Sequence, residues 1–168
     1  MNKRIPLSAA SIVPLLAGSC AGDPAVPVPE NARPNIIFIF SDDLGIGDLS
    51  CYGATRVATP HIDRLAAQGQ RFTNAYATSA TSTPSRFGLL TGMYPWRLPN
   101  TQIAPGNSEL IIDPECHTLA DAMHDAGYVT GAVGKWHLGL GPVGGTDFNV
   151  EIRPDARDIG FDYEYLIP

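Results

Sequence analysis

The strongest feature of the hydrophobic pattern is a continuous apolar run at residues 35–40, rich in isoleucine and phenylalanine. A strand that is apolar at every position is buried on both faces, as in a parallel sheet covered by helices. Residues 128–134 predict a second strand, residues 71–77 alternate weakly like a short one, and residues 160–165 begin another ordered segment. The pattern predicts an α/β fold in which helices connect parallel strands.

Helix signals separate these strands. Residues 59–69 have a Thr-Pro start and a glycine end, and residues 118–127 follow a threonine with an amphipathic pattern. A third helix is predicted over residues 82–92, because Pro84 fits its first turn and glycine is a common helix terminator. Residues 93–114 contain four prolines and are predicted to be irregular. A long insert of this kind near a site often lines a substrate cleft.

Composition narrows the class of protein. The chain has 168 residues, of which 44% are hydrophobic and 17% charged, as is typical of one globular domain. A net charge of −6 without a lysine–arginine cluster argues against a nucleic-acid partner. Cys51 and Cys116 could form a disulfide in an oxidising compartment, but their sequence spacing does not place their Cα atoms close together. Free buried thiols are the preferred interpretation.

The N-terminus carries a targeting signal. Residues 1–20 join a positive start, at Lys3 and Arg4, to a mostly apolar stretch and small residues before Cys20. This stretch is too short for a good membrane span. It resembles a bacterial lipoprotein signal, in which Cys20 becomes the lipidated first residue; the alternative is an ordinary cleaved signal. Residues 21–33 are proline-rich and predict an extended tether, so we expect an exported protein, periplasmic or anchored in the outer membrane.

The start of the third helix has the groups that bind an oxyanion. Ser82 lies at or just before the helix N-terminus, where N–H groups and the positive end of the helix dipole favour an anion. Arg86 lies about one turn further on and can reach back as a planar donor of paired hydrogen bonds. This combination suits attack on a sulfate or phosphate ester. The alternative is a capped helix with a surface arginine.

The ends of two predicted strands also carry reactive groups. Asp42 and Asp43 follow the first apolar run, where two carboxylates favour a hard divalent cation, with a polar turn as the alternative. Lys135 and His137 follow residues 128–134, and residues two apart in an extended segment point the same way. A lysine and a histidine facing one pocket could bind an anion and protonate a leaving group. The alternative there is a surface pair.

The order of these motifs resembles the type I sulfatases of the alkaline phosphatase superfamily. The two aspartates come first, S-x-P-S-R follows at residues 82–86, and G-K-W-H-L-G follows at residues 134–139. The resemblance runs from about residue 33 to residue 165. It implies that residues 34–168 are the N-terminal part of a sulfatase catalytic domain, an incomplete alkaline-phosphatase-like mixed sheet flanked by helices.

The resemblance also implies a modified residue and a metal. In this family a cysteine or serine at the first motif position is oxidised to formylglycine (3-oxoalanine), and here that position is Ser82. The serine type is matured by an anaerobic radical S-adenosylmethionine enzyme, which would be a partner of this chain. Asp42, Asp43 and the modified residue 82 would bind calcium, with magnesium as the alternative.

Three further side chains acquire roles from the same resemblance. The formylglycine hydrate would attack sulfur, release the alcohol and then expel sulfate. Arg86 would hold the formylglycine hydroxyl, Lys135 would bind a sulfate oxygen, and His137 would take the proton that triggers the release of sulfate. The substrate would be a sulfated glycan or a sulfated small molecule, with contact to a membrane only through a lipid anchor.

The family needs further metal ligands from a strand much later in the chain. We therefore expect these 168 residues to be a piece of a longer sulfuric ester hydrolase, inactive in isolation. One alternative is a phosphatase, phosphodiesterase or phosphonate hydrolase of the same superfamily that uses Ser82 unmodified. The other is a non-catalytic surface module left by a truncated gene.

Overall fold

The structure is a computed structural model that describes residues 33–99 and 101–168. The chain divides into two compact units, residues 1–40 and residues 41–168, and each is described by itself. The signal predicted at residues 1–20 lies outside the described residues, as does nearly all of the tether. In the part of the chain that the structure describes, none of the helices has the length and apolar character to span a membrane.

The first unit contributes residues 33–40 to the described part of the chain. The strand predicted at residues 35–40 is wrong for this structure, because no strand is present there. Its side chains are exposed, Ile37 to 85%, and the rings of Phe38 and Phe40 stack with centroids 6.3 Å apart. A strand exists only as part of a hydrogen-bonded ladder, which apolar character alone does not supply.

Three helices of the second unit confirm the helix signals in the sequence. Helix α1 spans Pro60–Gln68, α2 spans Ser82–Thr91 and α3 spans Leu119–Asp125. Helix α2 ends at Gly92, whose φ of 66° is the left-handed conformation that glycine adopts readily. Helix α3 begins with a capping box, because the side chain of Thr118 accepts from N–H groups of the first turn while Asp121 reaches back to the Thr118 N–H.

The sheet of the described residues has two parallel strands. Strand β1 spans Gly131–Lys135 and β2 spans Tyr163–Ile167, with Gly131 opposite Tyr163 in the register. The parallel pairing agrees with the α/β prediction. The two strands overlap the segments predicted at residues 128–134 and 160–165. The strand predicted at residues 71–77 does not form, and Tyr76 there is 87% exposed. Its weak alternation lacks the buried face that holds a real strand in register.

Short turns and loops make up most of the remaining structure. The described residues of the insert, 93–99 and 101–114, are irregular as predicted, apart from one 3₁₀ turn at Pro95–Arg97. Other 3₁₀ turns are found at Ile46–Asp48, Ser50–Tyr52 and Ala156–Ile159. Cys51 and Cys116 are both free thiols, and each is half-buried rather than buried.

The hydrophobic core includes residues next in sequence to the charged side chains of α2 and β1. Phe87 on α2 and Trp136 after β1 belong to it, together with buried residues of the insert, of the segment after β1 and of the last 3₁₀ turn, Ile112, Leu138, Leu140, Ala156 and Ile159. Phe87 is the neighbour of Arg86, and Trp136 separates Lys135 from His137. Burial of these two aromatic side chains therefore fixes where the adjacent polar side chains emerge.

Backbone pairing joins the insert to the segment after β1. Hydrogen bonds link Leu110 to Gly141, Ile111 to Leu138 and Leu140 to Ser108. This close approach requires Gly139, whose φ is 67° and whose Cβ, if it had one, would lie 1.7 Å from the carbonyl oxygen of Glu109.

We expect Gly139→Ala to lower the free energy of unfolding of the full-length protein by at least about 2 kcal/mol, from left-handed strain and steric overlap. Gly106→Ala is the matched control, because no atom lies within 4 Å of its added Cβ. Denaturant unfolding of both variants provides the measurement. Equal stability of the two variants would contradict this account of the close approach.

Candidate active site

The N-terminal half of α2 brings a serine and an arginine together. Ser82 is the first residue of the helix, and Thr81 before it supplies no side-chain cap. Arg86 lies one turn further on, and its Nε donates to Ser82 Oγ at 2.9 Å. The side chain of Arg86 is only 12% exposed, so the planar guanidinium holds the hydroxyl in a defined orientation.

The same guanidinium reaches two other segments of the chain. Its Nη1 donates to the main-chain oxygen of Lys135 at 2.7 Å, and its Nη2 lies 3.6 Å from Oδ1 of Asp42. Three stretches that lie up to 93 positions apart in the sequence therefore meet at the guanidinium of Arg86. The structure brings together four of the predicted site residues, Asp42, Ser82, Arg86 and Lys135.

Asp42 lies between two positive charges. Lys135 Nζ donates to its Oδ2, while Arg86 faces its Oδ1. The hydrogen bond from Lys135 holds the pKa of the Asp42 carboxyl below its usual value, and the charge of Arg86 acts in the same direction. The carboxylate is therefore ionised at neutral pH, and its oxygens keep lone pairs for a further ligand.

Asp43 has an unusual backbone conformation beside this cluster. Its φ of 55° lies in the left-handed region, which few residues other than glycine adopt. Within residues 33–99 and 101–168 no hydrogen bond or ion pair involves its carboxylate.

The oxygen donors fit part of a site for a hard divalent cation. Asp42, Asp43 and Ser82 offer carboxylate and hydroxyl oxygens, and calcium takes six to eight oxygen ligands in proteins. The described residues contain no cluster of three or more histidine, cysteine, aspartate or glutamate side chains around one point. The donor set is chemically suitable, and further ligands have to come from outside it.

The position of His137 does not follow from strand alternation, which predicted that it faces the same way as Lys135. Strand β1 ends at Lys135, and the φ of His137 is 53°, so the backbone has left the extended conformation. The main-chain oxygen of His137 accepts from Thr83 Oγ1 at 2.9 Å, and its ring Nε2 bonds to the carbonyl of Ala104 at 2.9 Å. Lys135 and His137 thus have separate partners, Asp42 and Ala104.

Three contributors to the site were not found by reasoning from the sequence. They are the hydroxyl of Thr83, the carbonyl of Ala104 and the main-chain oxygen of Lys135. Main-chain groups leave no signal in side-chain identity. The position of Thr83 next to Ser82 was the only available indication, and its partners lie 21 and 54 residues away.

An open cleft of about 570 Å³ is lined in part by Ala104, whose carbonyl is the hydrogen-bond partner of the His137 ring. Its walls come from the irregular insert and from two glycines of the loop after β1. Polar side chains line it at Gln102, Asn107, Ser108 and Glu109. The insert therefore forms a cleft, as its length and composition predict, and the cleft reaches Ala104, which bonds to the ring of His137.

Comparisons with known proteins agree on one family. The sequence model of the family described as Sulfatase matches residues 34–163. An N-acetylgalactosamine-6-O-sulfatase of Bacteroides thetaiotaomicron is 78% identical over 136 residues, which are 81% of this chain and 27% of that protein. The chain thus spans about a quarter of the length of this relative.

Solved structures lead to the same family. One, described under the metabolism of multiple glycosaminoglycans by Bacteroides thetaiotaomicron, has a TM-score of 0.80 at 78% identity and covers 81% of this chain and 28% of that one. Another, Ps i-CgsB in complex with k-i-k-neocarrahexaose, has a TM-score of 0.61 at 31% identity and covers 74% of this chain and 26% of that one. With a family match over most of its length, this chain belongs to the sulfatase family.

Proposed function

We propose that the protein to which this chain belongs hydrolyses sulfate esters of sugars. The observation that carries the proposal is the hydrogen bond of Arg86 to Ser82 at the start of a helix, with the ion pair of the same guanidinium to Asp42. This arrangement brings together Ser82, whose modified form would be the nucleophile, an anion-binding helix terminus and hard oxygen donors. The membership in the sulfatase family supports the reaction class.

A 6-O-sulfated N-acetylgalactosamine is the substrate we propose. The relative at 78% identity is named for that sugar, and a structural neighbour was solved with a neocarrahexaose. The cleft beside the cluster offers amide, hydroxyl and carboxylate groups, which are the usual partners of sugar hydroxyl and acetamido groups. A sugar in this cleft would contact the insert on the side of Ala104.

Two groups complete the chemistry of this proposal. When present, a formylglycine at residue 82 supplies a geminal diol as nucleophile, and a divalent cation held by Asp42 and Asp43 supplies Lewis acidity toward sulfate oxygens. The serine would be converted by an anaerobic radical S-adenosylmethionine enzyme.

The side chains of this chain have distinct tasks in that reaction. Arg86 orients the group at residue 82 and compensates its charge as it ionises. The ammonium of Lys135, which is paired with Asp42, would bind a sulfate oxygen through its positive charge. His137 Nδ1 is buried without a hydrogen-bond partner among the described residues, and it is the ring atom that would take a proton.

Conversion of Ser82 is the first expected result. Mass spectrometry of protein from the native host should show the Ser82 peptide lighter by a pair of hydrogen atoms. Ser82→Ala should reduce sulfate release from N-acetylgalactosamine 6-sulfate by roughly 10⁴-fold or more, because the nucleophile is lost. An unmodified serine together with full phosphate-ester hydrolysis would instead support the phosphatase alternative.

The role of Arg86 gives a second expectation. Arg86→Lys keeps the charge but retains one of the three directed contacts, so kcat/KM should fall by about 100-fold or more. Arg64→Lys is the matched control, because Arg64 is exposed on α1 and, among the described residues, the one hydrogen bond of its side chain is to the ring of His61 at 3.4 Å. Equal effects of the two substitutions on sulfate release would refute the role of Arg86 in linking the three segments.

We propose in addition that the protein is exported and anchored by a lipid on Cys20. The support is the charged start, apolar stretch and small residues that precede this cysteine in the sequence. Cys20→Ala should move the protein from the membrane fraction to the soluble fraction of the bacterial envelope, as followed by immunoblotting. Retention of the variant in membranes would exclude the lipid anchor.

A further inference from the structure

Thr83 joins two segments that lie far apart in the sequence. Its hydroxyl donates to the main-chain oxygen of His137 at 2.9 Å and accepts from the main-chain N–H of Ala104 at 3.1 Å. The residue is fully buried. A hydroxyl has a single proton, so the donor role is fully used by His137.

Ala104 in turn fixes the ring of His137. A carbonyl oxygen only accepts, so the 2.9 Å contact to Nε2 requires that Nε2 carries the proton. In a neutral imidazole the lone pair is then on Nδ1. This Nδ1 is buried and has no hydrogen-bond partner among the described residues. Such an atom is costly to leave unpaired, which indicates that it meets a ligand group when the site is complete.

The three hydrogen bonds form a closed ring. Thr83 donates to the His137 carbonyl, the His137 ring donates to the Ala104 carbonyl, and the Ala104 N–H donates to Thr83. Hydroxyls at the start of a helix usually serve that helix as caps, whereas both partners of Thr83 lie outside α2. Adjacent residues at the start of α2 therefore serve different groups, since Ser82 pairs with Arg86 and Thr83 controls the histidine.

We propose that Thr83 is a positioning residue for His137. It holds Ala104 where its carbonyl fixes both the orientation and the Nε2–H tautomer of the ring, so that Nδ1 is the nitrogen that meets the reacting group at residue 82. The part that concerns the reacting group rests on the proposed function, whereas the tautomer rests on the geometry alone.

Thr83→Val tests the proposal, because it keeps the shape of the side chain and removes both hydrogen bonds. In the full-length protein, kcat per converted residue 82 should fall by about tenfold or more, with KM for N-acetylgalactosamine 6-sulfate within about twofold. Thr83→Ser restores the hydroxyl and should recover most of kcat. Mass spectrometry of each variant gives the converted fraction.

Thr118→Val is the matched control. Thr118 is also buried, and its hydroxyl likewise bonds a distant carbonyl, that of Ile159, at 2.8 Å. It lies at the start of α3, and the hydrogen bonds of its hydroxyl are with Ala120, Asp121 and Ile159 rather than with the candidate site residues. We expect this variant to lose stability and to keep kcat, which separates the loss of a buried hydroxyl from the loss of histidine positioning.

Ring ¹⁵N NMR of the histidines gives a readout that depends neither on turnover nor on conversion of Ser82. A His137→Gln variant assigns the signal. The wild-type protein and Thr118→Val should show a protonated Nε2 and an unprotonated Nδ1, whereas Thr83→Val should show a mixture of tautomers. A single unchanged tautomer and unchanged kcat in Thr83→Val would overturn the proposal. If Ser82 is unconverted and sulfate is not released, the proposed function fails, and the tautomer result still decides the role of Thr83.

Discussion

The guanidinium of Arg86 is the interaction on which the rest of the site depends. It holds the hydroxyl of Ser82, the carboxylate of Asp42 and the main-chain oxygen of Lys135 at the same time. Each partner comes from a different segment, and only a rigid planar donor with several N–H groups can serve all three. Charge balance follows from the same contact, because Asp42 shares its two oxygens between Arg86 and Lys135.

The hydrophobic core holds the backbone of the site residues in place. The buried side chains of Phe87 and Trp136 adjoin Arg86, Lys135 and His137 in sequence, so the core fixes the backbone that carries them. The insert is held against the same segment by hydrogen bonds that need the absence of a side chain at Gly139. The wall of the cleft is hydrogen-bonded to the segment that carries His137. The shape of the cleft therefore depends on the same contacts as the position of the histidine ring.

Local sequence signals predicted the helices, but they did not predict which distant segments pair with each other. The proline and glycine at either end of residues 82–92 specify a helix through backbone conformations that depend on neighbouring residues alone. The apolar run at residues 35–40 favours a strand, but a strand also needs a ladder partner, and none is specified locally. Four candidate site residues were predicted from their chemistry and meet at Arg86. The contact of Thr83 with His137 spans 54 residues and carries no periodic pattern.

Backbone strain offers independent support for the location of the site. In residues 33–99 and 101–168, the residues other than glycine with positive φ are Asp43 and His137, at 55° and 53°. Each such conformation costs about 1–3 kcal/mol and persists only where its surroundings enforce it. Both residues lie at the candidate site, and for His137 the enforcing contacts are visible in the hydrogen bonds with Thr83 and Ala104. Under the proposed function, this cost would be offset when Asp43 binds the divalent cation and Nδ1 of His137 meets the group at residue 82.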